Sequence, residues 1–345
     1  MQLAKRYQRI IDPREVSGDQ IQAILDCGES PVIQFSEPMY TKRLLQQVNE
    51  LCIQYKQFLE VRFYGHYSHG FDAKWLAHIP AVENLSLDAL LEIEHIENLY
   101  HLENLKILSF GVFEFSDKDF LKNIKLTGLK EFSLSESRKK NIDLRPLENA
   151  TSLNKLCVVG HSKNIESINS IQQLKHVMLS QISKKVSLEF LNRLENLEEL
   201  EVILGGRDNV NEVTIPTLKT LRILRVRNFN QISDLSRFPK LECLHIEDQT
   251  KLESIDLSGI SLKRLLIDNC KNLTELIELE SQQELFWVGL SRTKLDLNDL
   301  KIFEWPSSLK VISLSGGSNK WNESCKKFFN SKGYVAHPHD LDFNI

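Results

Sequence analysis

The chain has 345 residues, of which 41% are hydrophobic and 26% charged, an ordinary balance for a folded protein with a substantial core. Its 43 basic and 47 acidic residues leave a formal charge of −4, which excludes a general attraction for nucleic acid or anionic membrane. Six dispersed cysteines without a CxxC pair give neither a zinc pattern nor a disulfide framework.

The start, MQLAKRYQRIIDPREV, has no apolar run of signal-peptide length, and no stretch of 18 apolar residues follows, so the cytoplasm is the expected compartment. DPREVSGDQIQAILDCG predicts a loop and a helix closed by Gly28, and SPVIQFS predicts a strand. TKRLLQQVNELCIQY (41–55) places Leu44, Leu45, Val48, Leu51, Cys52 and Tyr55 on one helical face. Together these predict a non-repeat α/β cap over residues 1–57 that adds a strand to whatever sheet follows.

From residue 58 the chain repeats itself. LENLKILSF from Leu102 and LENLEELEV from Leu194 share a frame of one apolar residue, two free positions, an apolar residue, one free position and a third apolar residue. Twelve copies run from Phe58/Val61/Phe63 through Leu197/Leu200/Val202, Leu221/Leu224/Val226 and Leu241/Leu244/Ile246 to Leu309/Ile312/Leu314, with starts 20 to 24 residues apart. The last two apolar positions of each copy are two apart, so both face one side of a short strand while the residues between them face the other. The rest of the period must return the chain to begin the next strand, which makes the strands parallel and leaves each copy dependent on its neighbours for burial. Residues 71–82, 116–129 and 186–197 can each hold two helical turns, whereas 229–241 and 250–262 predict a tight 3₁₀ or extended path. WNESCKKFFNSKGY (321–334) predicts a closing amphipathic helix with Trp321, Cys325, Phe328 and Phe329 inward.

This frame and period resemble the leucine-rich repeat family. The resemblance covers 58–315 and implies an α/β solenoid, a curved horseshoe with a parallel concave sheet and a mixed short-helix, 3₁₀ and extended convex side. Caps at 1–57 and 316–345 close it. Length alone would suggest two domains, but a repeat array grows without dividing its core. The family usually places Asn or Cys in the turn after each strand. Here those positions hold Cys270 but also Phe113, Ser137, His161, Gln249 and Thr293, which points to irregular turns and a distorted horseshoe.

No nucleotide, hydrolase, metalloprotease or kinase motif is present, and LGGRDN (204–209) lacks the GK[ST] of a phosphate loop. HYSH (66–69) and HPH (337–339) lack the Cys or carboxylate motif of a metal site, so no metal and no cofactor are expected. What remains is the open face of the sheet. The frame points Glu199, Glu201, Arg225, Arg227, His245, Arg264 and Trp287 outward on neighbouring strands, with Arg62 and Tyr64 near the N-terminal cap. Arg and Trp are frequent binding anchors, and adjacent acidic and basic groups orient a partner.

The expected function is therefore a non-enzymatic, monomeric module that binds another protein through the concave face, of the inhibitor or immunity-protein type, with no nucleic acid or membrane partner. The alternative is an effector or enzyme using Arg62, Tyr64, His66, His69 and Asp72 of the N-terminal cap and histidine loop. An adhesin of the internalin type would need a signal peptide and a wall anchor.

Overall fold

The computed structural model describes residues 6–140, 142–316 and 318–336. The chain divides after Leu174 into two compact units, and both are built from the same repeat.

The first unit opens with a strand, Tyr7–Ile11, that sequence patterning does not single out. The helix Gly18–Asp26 follows, started by a capping box in which the Ser17 side chain accepts from the Gln20 amide and the Gln20 side chain accepts from the Ser17 amide. Gly28, at φ 75°, takes the left-handed conformation that ends it. After the predicted strand, Ser30–Phe35, the helix Lys42–Tyr55 buries the six residues of its predicted apolar face. Tyr55 ties the two helices by donating its hydroxyl to the Gly18 carbonyl at 2.9 Å. Five more strands lie at Glu60–Tyr64, Asn84–Leu90, Ile107–Val112, Glu131–Leu134 and Lys155–Val159, and the seven pair in parallel in chain order.

The second unit has seven parallel strands of its own, at His176–Ser180, Glu199–Ile203, Thr220–Leu224, Cys243–Glu247, Arg264–Asp268, Trp287–Ser291 and Val311–Ser315. The helix Asn319–Ser331 follows, with Cys325 and Phe329 buried and Trp321 and Phe328 half-buried. Val335 bridges Val311 in parallel beyond it. Among the described residues no helix is long and apolar enough to cross a membrane.

In both units the paired apolar residues of the frame form the core. Val61, Leu85, Leu108, Phe132, Leu200, Leu221, Leu244 and Val288 are each at most 1% exposed. Burying such a side chain is worth roughly 1.5–3 kcal/mol, available only because neighbouring copies supply the other half of the contact. The return segments are tighter than their sequences suggest. Residues 71–82 and 186–197 contain 3₁₀ turns, Ala73–His78 and Glu189–Arg193, and 116–129 holds one α-turn, Phe120–Asn123. The 250–262 return is extended, and its Ser254–Asp256 pairs with Glu275–Ile277.

The turns after the strands are regular in the second unit, whereas the first keeps the expected irregularity, with a register shift between Leu87 and Leu90. In the second unit the residue after each of six strands, Gln181, Leu204, Arg225, Asp248, Asn269 and Arg292, has φ between 51° and 58°. Each donates its amide to the last carbonyl of the next strand, those of Ile203, Leu224, Glu247, Asp268, Ser291 and Ser315 in turn, at 2.9–3.1 Å. This backbone bond repeats whatever the side chain and, at Gln181, Leu204, Arg225 and Arg292, offsets the roughly 1–2 kcal/mol that a left-handed residue other than Gly, Asn or Asp costs. Two residues past the strand, other side chains reach the carbonyls that the family's asparagine would serve. Gln249 donates to the Glu247 carbonyl at 2.7 Å, the Cys270 thiol lies 3.5 Å from the Asp268 carbonyl, and His161 Nε2 lies 3.1 Å from the Ser135 carbonyl.

Candidate functional site

The open face of the second unit is a grid whose rows run across the strands. Strict register carries one row from His176 through Glu199, Thr220, Cys243 and Arg264 to Trp287, and the next from Met178 through Glu201, Arg222, His245 and Leu266 to Gly289. Rows of this kind place side chains about 4.8 Å from their neighbours, close enough for charges to interlock.

They do so around the acidic pair. His176 Nε2 lies 2.8 Å from Glu201 Oε1, and its Nδ1 lies 3.7 Å from Glu199 Oε2. From the opposite strand Arg222 Nη1 reaches the same two oxygens at 3.4 Å and 3.3 Å. Glu199 and Glu201 therefore sit where the sequence placed them, but the arginine beside them is one the sequence reading missed.

The expected basic residues Arg225 and Arg227 are not on this face. The strand is Thr220–Leu224 with Leu221 and Ile223 fully buried, so the copy starts at Leu218 and the frame over Leu221/Leu224/Val226 is three residues too late. Arg225 is the left-handed turn residue, and its guanidinium donates to Glu247 at 3.0 Å and Asp248 at 3.1 Å. Arg227 lies beyond the turn, where its backbone bridges Gly206. A signal for the correction lies in the spacing. A start at Leu218 is 21 residues after Leu197 and 23 before Leu241, whereas a start at Leu221 makes intervals of 24 and 20, the latter the shortest in the chain.

His245 and Trp287 point outward as predicted but are not open to solvent, at 3% and 5% exposed. The frame gives a side chain's direction and says nothing of its cover. The Arg264 guanidinium lies 5.6 Å from the Trp287 ring centre, close enough for a cation–π contact. Burial, with the Arg222 charge next to it, pushes the His245 imidazole down to about 4, so it is neutral near neutral pH. At the turn side, Asp268 accepts from Ser291 and is forked by Arg292, whose Nε is 2.9 Å away.

In the first unit, Arg62 and Tyr64 lie side by side near the cap. Arg62 donates to Gln34 at 2.8 Å, pairs with Asp88 and lies 4.3 Å from the Tyr64 ring centre. The His66 ring packs edge-on against Tyr64 with centroids 4.3 Å apart. Among the described residues neither His66 nor His69 forms an ion pair with a carboxylate, and Asp72 pairs instead with His95. The HPH run at 337–339 lies outside the described residues.

No family model matches the sequence, and no curated protein does. The structure is similar to the crystal structure of an internalin from Listeria monocytogenes, with a TM-score of 0.55 and 19% identity over 90% of this chain and 86% of that one. Both units have the leucine-rich repeat fold. Looser likenesses are to internalin C2 of the same organism, at 21% identity over 58% of this chain and 82% of that one with a TM-score of 0.39. Toll in its complex with Spätzle from Drosophila is 15% identical over 91% of this chain and 51% of that one, with a TM-score of 0.43. In leucine-rich repeat terms, the residues singled out on the second unit's sheet lie on its strand face, with Arg222 in the place expected of Arg225 and Arg227.

Proposed function

We propose that the protein is a non-enzymatic protein-binding module that uses the open strand face of its second unit. The observation that carries this is the interlocked set His176, Glu199, Glu201 and Arg222, in which three strands hold opposite charges in fixed positions on a half-exposed surface. Charges already held by their neighbours lose little side-chain freedom when a partner docks, and alternating signs select orientation as well as affinity. The finer reading is a cytosolic, monomeric inhibitor or immunity-type protein that covers a site on its target without changing shape. Its partner is another protein, not nucleic acid or membrane.

The test is affinity capture with wild-type protein beside two fold-checked variants, Glu201→Lys with Arg222→Glu, and Arg225→Glu with Arg227→Glu. A partner protein recovered stoichiometrically by wild type, lost by the first variant and kept by the second is the expected result. A partner lost only by the second would move the site to the turns, and capture of nucleic acid in place of protein would end the proposal.

A further inference from the structure

The return segments near the start of the first unit carry a cluster that lies off the strand face. Phe71–Asp72 and Ile93–Glu94 form a two-stranded parallel pair in which Asp72 stands opposite Glu94. Residues opposite one another on adjacent strands point to the same side, so two carboxylates are brought together. The next residue, His95, adopts φ 51°, and its ring Nδ1 lies 2.9 Å from Asp72 Oδ1. One donor atom from each of the three side chains lies within 4.8 Å of the other two. The Asp72 carboxylate is also fixed by the Lys74 backbone amide, which donates to it at 3.0 Å.

Two carboxylates this close repel unless a cation stands with them. Among the described residues neither forms an ion pair with a lysine or arginine; His95 is the one ion-pair partner of Asp72, and Glu94 has none. The other cluster of a histidine and two carboxylates, His176, Glu199 and Glu201, differs on this point because Arg222 lies 3.3–3.4 Å from both of its carboxylates. There the protein supplies the cation itself, and a metal would meet a guanidinium.

We propose that Asp72, Glu94 and His95 bind a divalent transition metal of the zinc class, through one imidazole nitrogen and two carboxylate oxygens, with water completing the shell. A nitrogen donor in the set favours such ions over calcium or magnesium, which prefer all-oxygen sites. Three protein ligands on a half-exposed surface leave a coordination position open to solvent. The Lys74 amide donates to the same Asp72 oxygen that His95 faces, holding that ligand in place as outer-shell hydrogen bonds do in metal sites. Nearness in sequence sets Asp72 beside His66 and His69, whereas its partner His95 stands 23 residues away, in the next repeat.

Isothermal titration of metal-free, full-length protein with zinc chloride, and separately with calcium chloride, tests it. The expected result is one saturable equivalent of zinc, tighter than calcium, with a rise in melting temperature. Glu94→Gln, His95→Ala and Asp72→Asn should each weaken it at least about tenfold, since even outer-shell changes weaken metal sites by about 10–100-fold. Asp72→Asn keeps an oxygen to accept from the Lys74 amide, and Glu94→Gln changes an exposed side chain, so both should keep the fold by circular dichroism. His176→Ala should leave zinc binding unchanged. Absence of saturable zinc binding, zinc binding intact in all three variants, loss only in His176→Ala, or calcium binding as tight as zinc would each overturn the proposal.

Discussion

His245 offers a direct measure of how far the strand face of the second unit is shielded from water. Its ring is buried, flanked in its own row by Arg222 and Leu266, and its ordinary value of 6.5 falls to about 4, chiefly through burial and then through the Arg222 charge. A histidine whose folded value is depressed contributes stability that is complete above its unfolded value. That stability is lost as pH falls from about 6.5 toward about 4, because the unfolded chain takes up the proton first. The difference corresponds to about 3 kcal/mol, a large share of the roughly 5–15 kcal/mol typical of a domain. Carbon-13 labelling of the histidines and an NMR titration from pH 8 to 3.5 reads the midpoint directly. The expected midpoint for His245 is near 4, rising in Arg222→Gln, which removes a neighbouring positive charge, and falling further in Glu201→Gln, which removes a negative one. A midpoint at or above about 6 would refute the burial account, since it would match an exposed imidazole.

Three further outcomes follow from the turns and the core. Gly205→Ala should destabilise by about 1–3 kcal/mol in chemical denaturation, because φ is 71° there and a Cβ would stand 2.7 Å from the Ile182 carbonyl oxygen. Leu204→Gly, one residue earlier at φ 55°, should stabilise by up to about 1 kcal/mol in the same assay, since the left-handed strain is relieved on an exposed side chain. Gln249→Leu should lower stability by about 0.5–1.5 kcal/mol and speed amide exchange in Cys243–Glu247, because the Glu247 carbonyl keeps the Arg225 amide but loses its 2.7 Å side-chain donor.

The likeness to solved leucine-rich repeat structures and the repeat in the sequence rest on different facts, and they agree on the fold. The sequence specifies the features that depend on neighbours along the chain. The alternation of apolar and free positions decides which side of a strand each residue takes, and so Leu200, Leu244 and Val288 are core while Glu199, Glu201 and Arg264 face out. The helical spacing in 42–55 likewise names its buried face residue by residue. Where two frames fit equally, as with Leu218 and Leu221, local pattern is silent, and the choice is made by the ladder that pairs Thr220 with Glu199 and Cys243.

The rest needed the tertiary structure, because it depends on residues a whole repeat apart. Arg222 meets Glu201 from 21 residues away, and Asp72 meets His95 from 23. The strand at Tyr7–Ile11 exists because Ser30–Phe35 offers it an edge to pair with, not because its own side chains alternate. His245 and Trp287 keep the direction their spacing dictates, yet burial changes what they can do there. Periodicity fixes direction because direction is a property of the local backbone; partners, cover and charge belong to the stacking of one repeat on the next.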